Sequence, residues 1–193
     1  MSLVIALCGT IGSGKTTVAD HLVLRHGFQR VKFADGLKNM LAAFLRMQGC
    51  TDEYIKRCIE GDLKTKPIPE LGGRTPRHAM VTLGTEWGRN CMNTDLWVIA
   101  WRGATQGVLA NRTPVVVDDC RFLNEYDAIR SMNGLVWRVA REGGEKSNHV
   151  SETEQLLFDV DANKLNNASI NQLLLWVDQQ LRAYQKKVYA AAV

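Results

Sequence analysis

An apolar run, Leu3-Val4-Ile5-Ala6-Leu7-Cys8, passes without a break into Gly9-Thr10-Ile11-Gly12-Ser13-Gly14-Lys15-Thr16, and that into Thr17-Val18-Ala19-Asp20-His21-Leu22. The order strand, glycine loop, helix is the context a phosphate-binding P-loop requires. It commits the chain to an opening βα unit, with a sheet strand feeding a helix whose N-terminus faces a ligand. Glycines let consecutive backbone N–H groups turn inward around phosphate oxygens, and the helix end adds partial positive charge. Gly12, Ser13, Gly14 and Thr17 are therefore expected to cradle phosphates. Lys15 can reach the β- and γ-phosphates, and the Thr16 hydroxyl can ligate Mg²⁺. The expected ligand is a nucleoside triphosphate with its magnesium ion.

The rest of the chain is ordinary for a water-soluble domain. Its 193 residues fit one domain, are 46% hydrophobic and 23% charged, and carry a net charge of +4. That balance suits an enzyme handling anionic phosphates. No lysine- or arginine-rich block marks a nucleic-acid tail, so stable nucleic-acid binding is not expected. The opening run is short, lacks a basic lead and enters the P-loop directly, unlike a signal peptide. No apolar stretch approaches the ~18 residues a membrane span needs. A cytoplasmic protein is expected, with no membrane partner. The five cysteines Cys8, Cys50, Cys58, Cys91 and Cys120 form no Cys-x-x-Cys pair, which argues for free thiols over zinc.

Periodicity and punctuation outline the remaining elements. Helices are expected from about Lys15 to Arg25, Gly36 to Met47 with Asp35 as its cap, and over 51–60 with Thr51 or Asp52 as cap. Thr75-Pro76 opens another that continues through Trp87 to about Met92, and Asn93 or Thr94 caps one from Asp95 to Gly107. Further helices are expected over 123–132, 151–157 and 169–189. The last presents Leu173, Leu174, Val177, Leu181 and Tyr184 near helical spacing. Strands are expected over Phe28–Phe33, at Val115-Val116-Val117, over Leu135–Ala140 and near Leu157–Val160. Residues 61–75, with Pro67, Pro69, Gly72 and Gly73, read as a loop at a ligand site. The alternation predicts an α/β fold with a mostly parallel sheet, five-stranded with the opening strand, and helices on both faces.

Several side chains are placed where phosphoryl chemistry needs them. The third strand ends in Asp118-Asp119, where an acid can serve Mg²⁺ or the acceptor; alternation along a strand predicts that one of the two faces the nucleotide. Arg121 follows that strand, and Arg138 and Arg141 straddle the end of the next. Guanidinium forks bind phosphates bidentately, and these strand ends open toward the P-loop side of a parallel sheet. The loop Arg141 to His149 carries a Gly-Gly pair that can hinge a cover, about residues 141–152. His149 has no acid–base partner in sequence and reads as structural. Asn163-Lys164-Leu165-Asn166 misses the guanine-reading Asn-Lys-x-Asp by its last residue, which favours ATP as donor. Asn166 and Asn167 are then candidates for lining the adenine pocket. Trp87, Trp97 and Trp101 can each stack on a base or fill the core.

Taken in order, the P-loop, Lys32-Phe33-Ala34-Asp35-Gly36-Leu37-Lys38, Leu83-Gly84-Thr85-Glu86-Trp87-Gly88-Arg89, Asp95-Leu96-Trp97, Asp119-Cys120-Arg121-Phe122-Leu123-Asn124-Glu125 and His149-Val150-Ser151-Glu152 resemble the bacteriophage deoxynucleoside monophosphate kinases. The resemblance spans nearly the whole chain. It implies a three-layer P-loop kinase fold forming a single domain over 1–193, with a helical acceptor-binding region at about 35–110. It also implies transfer of a phosphoryl group from ATP to a deoxynucleoside monophosphate. Asp35, Lys38, Arg74, Trp87, Arg89, Asp119 and Asn124 would then bind the acceptor. Lys15, Arg121 and Arg141 would act on the moving phosphoryl group, Arg138 and Asn167 would join the ATP site, and Thr16 with Asp119 would hold Mg²⁺. Leu123 departs from the proline frequent in the family, and Asp118 from a small polar residue, which leaves the choice between the two aspartates open. The lid is shorter than in some relatives. A kinase of another small acceptor such as dephospho-coenzyme A is the nearest alternative. An ATPase acting with nucleic acid and a non-catalytic nucleotide-binding module are more distant ones. The preferred base and the oligomeric state, a homodimer included, are not written in these motifs.

Overall fold

The computed structural model describes residues 3–142 and 154–191. Chain contacts divide it into two compact units, residues 1–32 with 104–193, and residues 33–103.

The first unit is built on a five-stranded parallel sheet in the order β2-β3-β1-β4-β5. Its strands are β1 (Val4–Cys8), β2 (Gln29–Arg30), β3 (Val115–Val117), β4 (Leu135–Ala140) and β5 (Ala162–Leu165). β1 lies at the centre, Ala6 opposite Val117 on one side and Cys8 opposite Arg138 on the other. All five residues of β1 and all three of β3 are buried, as expected for strands covered on both faces. Helix α1 (Lys15–His26) and the C-terminal helix α7 (Ile170–Ala191) cover one face. There Ile5, Leu7, Val116, Trp137 and Val139 pack with Val18 and Leu22 of α1 and with Leu173, Trp176, Val177 and Leu181 of α7. Trp137 meets Trp176 edge-on, ring centroids 5.5 Å apart. Helix α6 (Leu123–Ser131) covers the opposite face against β1 and β4. The α/β, three-layer reading of the sequence is the observed architecture.

The second unit is helical. It holds α2 (Asp35–Met47), α3 (Asp52–Glu60), a short 3₁₀ turn (Pro69–Leu71), α4 (Pro76–Val81), which runs on as a π-helix (Thr82–Met92), and the start of α5 (Leu96–Ala110). Its core is Leu41, Leu45, Ile55, Cys58, Ile59, Ile68 and Met80. Thr51 caps α3 by accepting the Tyr54 N–H, and Thr75 caps α4 by accepting that of His78.

Several expectations need correction. The second strand is two residues long, an edge strand that among the described residues pairs only with β3. Asp35 is the first residue of α2, with Ala34 at the cap position and no side-chain cap bond; its carboxylate sits in the first turn, where it complements the positive end of the helix dipole. The helix through Trp87 changes from α to π at Thr82. The last strand is Ala162–Leu165 rather than 157–160, because Phe158 is drawn into a stack on Tyr126 with centroids 4.8 Å apart. Residues 154–157 form a 3₁₀ turn. The expected cover lies, beyond Arg141 and Glu142, outside the described residues. No described helix is long and apolar enough to cross a membrane.

Candidate active site

Because every strand is parallel, β1, β3 and β4 all end at one edge of the sheet, which sets Gly9, Asp118 and Arg141 at that edge. A crevice at the carboxyl ends of the strands, where the connections diverge on either side of β1, is where open α/β sheets hold ligands.

The loop after β1 is shaped by backbone demands that only glycine meets. Gly9 has φ +131°, and an added Cβ would lie 2.0 Å from the Val139 carbonyl oxygen. Gly14 has φ +109°, and a Cβ there would lie 2.7 Å from Asn166 Nδ2. Lys15 opens α1, and its Nζ donates to the carbonyls of Gly9 and Thr10, each at 2.7 Å, so the ammonium is anchored across the loop. Ser13 is fully buried, and among the described residues neither its Oγ nor the buried Thr10 Oγ1 has a hydrogen-bond partner. Buried hydroxyls without partners cost stability unless a ligand satisfies them. Unpartnered donors beside a cationic Nζ and a helix N-terminus fit phosphate oxygens.

Three side chains from the far end of the sequence brace this loop. The Gln155 Oε1 accepts the Gly9 N–H at 2.7 Å, while the Gln155 carbonyl accepts from Arg138 Nη2 at 2.7 Å. Asn166, nearly fully buried, donates from Nδ2 to the Ser13 carbonyl at 2.8 Å. Arg141 donates from Nε to the Asn166 carbonyl at 3.1 Å and from Nη1 to the Gly12 carbonyl at 3.4 Å. Asn166 therefore serves the P-loop itself rather than only a base pocket. Asn167 accepts the Glu142 N–H through Oδ1 at 3.0 Å and lines, with Arg141, Glu142 and Ala168, an open pocket of about 420 Å³. Gln155 was not foreseeable from sequence, since a glutamine after a polar loop carries no motif.

At the end of β3 the two aspartates part company. Asp118 is buried and faces the edge strand, with Arg30 Nη1 at 3.7 Å and Lys32 Nζ at 3.5 Å. Asp119 is half-buried. The buried carboxylate of Glu125, on the first turn of α6, accepts the N–H groups of Arg121 at 2.8 Å and Phe122 at 3.2 Å through Oε2. This is the glutamate half of a capping box, and it fixes the backbone that carries Arg121. Arg121 and Asn124 are half-buried beside it. Thr16 is exposed on the first turn of α1. A threonine hydroxyl with a carboxylate at the same sheet edge is an oxygen donor set suited to Mg²⁺. Cys8 and Cys120 are buried strand-end thiols, and burial pushes both above the usual thiol range, in Cys8 against the pull of Arg138. They are neutral packing groups, not nucleophiles.

The remaining expected residues belong to the helical unit. Lys38 on α2 is ion-paired with Glu60 of α3. Arg74 is exposed after the 3₁₀ turn, in a segment closed on itself by Ile68 N–H to Arg74 carbonyl and Gly73 N–H to Ile68 carbonyl bonds. Asp35 is half-buried at the start of α2. Arg89, on the π-helix, donates to the Thr94 carbonyl at 3.3 Å. Trp97 and Trp101 are core residues, Trp97 donating its indole N–H to the Gly84 carbonyl at 2.8 Å and Trp101 packing on Phe33. Trp87 is 37% exposed, and of these three tryptophans it is the one with a face available for a ligand.

No family model matches the chain. An Acanthamoeba polyphaga mimivirus protein named "Putative deoxynucleotide monophosphate kinase" is 29% identical over 181 residues, covering 88% of this chain and 91% of that protein. The resemblance carried by the motifs thus has a counterpart along most of the chain, in a mimivirus rather than a bacteriophage protein. Among solved structures, a gluconokinase from Sinorhizobium meliloti 1021 superposes with a TM-score of 0.49 at 15% identity, covering 99% of this chain and 98% of that one. A shikimate kinase from Acinetobacter baumannii in complex with shikimate gives 0.42 at 13% identity, covering 95% of each chain.

Proposed function

We propose that this chain is an ATP-dependent deoxynucleoside monophosphate kinase. The observation that carries the reading is the braced P-loop, in which Lys15, Arg141 and two unpartnered buried hydroxyls surround one glycine loop. The acceptor class rests on the motifs and on the name of the mimivirus relative.

In this reading the P-loop amides and Lys15 hold the β- and γ-phosphates of ATP, with Gly12, Ser13, Gly14 and Thr17 as the cradle. Arg138, through Gln155, and Asn167 belong to the same ATP site. Thr16 and Asp119 would hold Mg²⁺, which supplies charge neutralisation between the phosphates. A 5′-phosphate oxygen of the acceptor forms a bond to the γ-phosphorus, the bond to the β,γ-bridging oxygen breaks, and ADP leaves with that electron pair. Arg121 and Arg141 screen the charge of the phosphates as they approach. A phosphate oxygen is already nucleophilic at neutral pH, so no general base is needed. We assign Asp35, Lys38, Arg74, Trp87, Arg89, Asp119 and Asn124 to the acceptor on the resemblance alone.

An ADP-release assay coupled to NADH oxidation, run across the dNMPs, the NMPs and dephospho-coenzyme A, tests the assignment. Acceptor-dependent ADP release with at least one dNMP is expected. Release with dephospho-coenzyme A alone, or at the same rate with no acceptor, would overturn it.

A further inference from the structure

Away from the P-loop, three metal-ligating side chains converge between α1 and α7. The apolar seam of Val18 and Leu22 against Leu173, Val177 and Leu181 holds the two helices together. Asp178 follows Val177 in sequence and so stands at the rim of that seam. His21 lies on α1, and His26 is its last residue before Gly27 ends the helix in a left-handed turn. His21 Nε2 is 2.7 Å and His26 Nε2 is 2.8 Å from the same oxygen, Asp178 Oδ1. The two rings meet edge-on with centroids 5.3 Å apart. One ligand atom from each residue lies within 4.8 Å of the other two. None of the three takes part in the phosphate site.

We infer that His21, His26 and Asp178 form a binding site for a single divalent ion of the Zn²⁺ class, with water completing the coordination. Two imidazoles and one carboxylate are a borderline donor set, which favours Zn²⁺, Co²⁺ or Cu²⁺ over Mg²⁺ or Ca²⁺. Both rings turn Nε2 toward Asp178 Oδ1, so the three donor atoms already cluster at one place. Tetrahedral coordination at ~2.0–2.1 Å sets the donor atoms about 3.3 Å apart. The present 2.7 and 2.8 Å separations open to that value by about half an ångström, and the two ring nitrogens, within 4.8 Å of one another, settle to the same spacing. His26 can supply the movement, because its side chain is 30% exposed. The side chains of His26 and Asp178, each 30% exposed, leave the fourth position to solvent. An ion there ties the end of α1 to α7, and the other end of α1 carries Lys15 and Thr16.

The test is calorimetric titration of the full, chelator-stripped chain with Zn²⁺ alone, with thermal unfolding as a second readout. One ion per chain and a raised unfolding midpoint are expected. His26→Ala and Asp178→Asn each weaken binding by about tenfold or more and remove the thermal shift. Both positions are partly exposed, so these variants keep their fold where a change at His21 could disturb packing. Cys91→Ser, at an exposed thiol, leaves binding unchanged. Co²⁺ gives visible bands of nitrogen and oxygen ligation without a thiolate band. No binding at about 100 μM Zn²⁺, binding that survives in His26→Ala, or binding lost in Cys91→Ser would each overturn the site.

Discussion

In the loop after β1 the ligand-facing groups are set by backbone conformation and braced by Gln155, Asn166 and Arg141. Gly9 and Gly14 adopt conformations that admit no side chain, and Lys15 is anchored on two loop carbonyls. In the helical unit of residues 33–103 the candidate groups sit on separate elements and are held by other side chains or local turns. Lys38 pairs with Glu60, Arg89 with the Thr94 carbonyl, and Trp87 shows a face to solvent. Under the proposed function the contrast would separate two kinds of recognition. Triphosphate is the same in every nucleotide and can be met by fixed amides. An acceptor varies, and under the proposed function would be met by side chains whose arrangement can change without disturbing the core beneath them.

The sharpest way to break that contrast is at Gly9. Gly9→Ala places a methyl group on the Val139 carbonyl, backbone against backbone, and is expected to cost ~3 kcal/mol or more, measured by denaturant unfolding. A variant as stable as the parent would show that the loop is not fixed by its backbone. Asn166→Ala comes next. It leaves the buried Ser13 carbonyl without its donor, which costs about 1–3 kcal/mol, and the loosened loop should raise the KM for ATP about tenfold. An unchanged KM would remove Asn166 from the site.

The counterparts in the helical unit should be milder. Gly72 also has a positive φ, +58°, but a Cβ there meets nothing within 4 Å. Gly72→Ala should cost only about 1 kcal/mol, from backbone strain alone. A loss as large as that at Gly9 would mean the two regions are equally constrained. Smallest of all, Lys38→Ala opens an ion pair whose Glu60 side chain is 48% exposed, worth less than ~1 kcal/mol. Its visible effect should be a several-fold rise in the KM for the dNMP with the KM for ATP unchanged. If both constants stay put, Lys38 serves only to hold α2 on α3.

The same contrast explains what could be read from the sequence. The P-loop, β1, α1, β3 and β4 were legible because each is marked by its own residues: glycines at forced turns, and unbroken apolar runs where strands are buried on both faces. β5 was misplaced because it is an edge strand whose Ala162-Asn163-Lys164-Leu165 alternates between half-buried and exposed, with no β-branched residue to mark it. The apolar Leu157-Phe158 nearby looked more like a strand, yet Phe158 is spent on Tyr126. Of the loop's braces, Arg141 was visible as a cation at a strand end. Gln155 and Asn166 reach it only through tertiary packing, 146 and 153 residues along the chain from their partners. Glu125 was part of a quoted motif, but its work, fixing the backbone of Arg121, depends on the turn between β3 and α6.

In the proposed reaction the P-loop delivers the γ-phosphoryl group of ATP to a nucleotide acceptor. A single-turnover reaction with γ-labelled ATP and each dNMP, comparing the parent with Lys15→Ala of verified fold, tests it most directly. Label in the β-phosphate of a dNDP is expected with the parent, and a rate at least ~10³-fold lower with Lys15→Ala. Label found only in inorganic phosphate, or dNDP formed equally fast by both proteins, would contradict it.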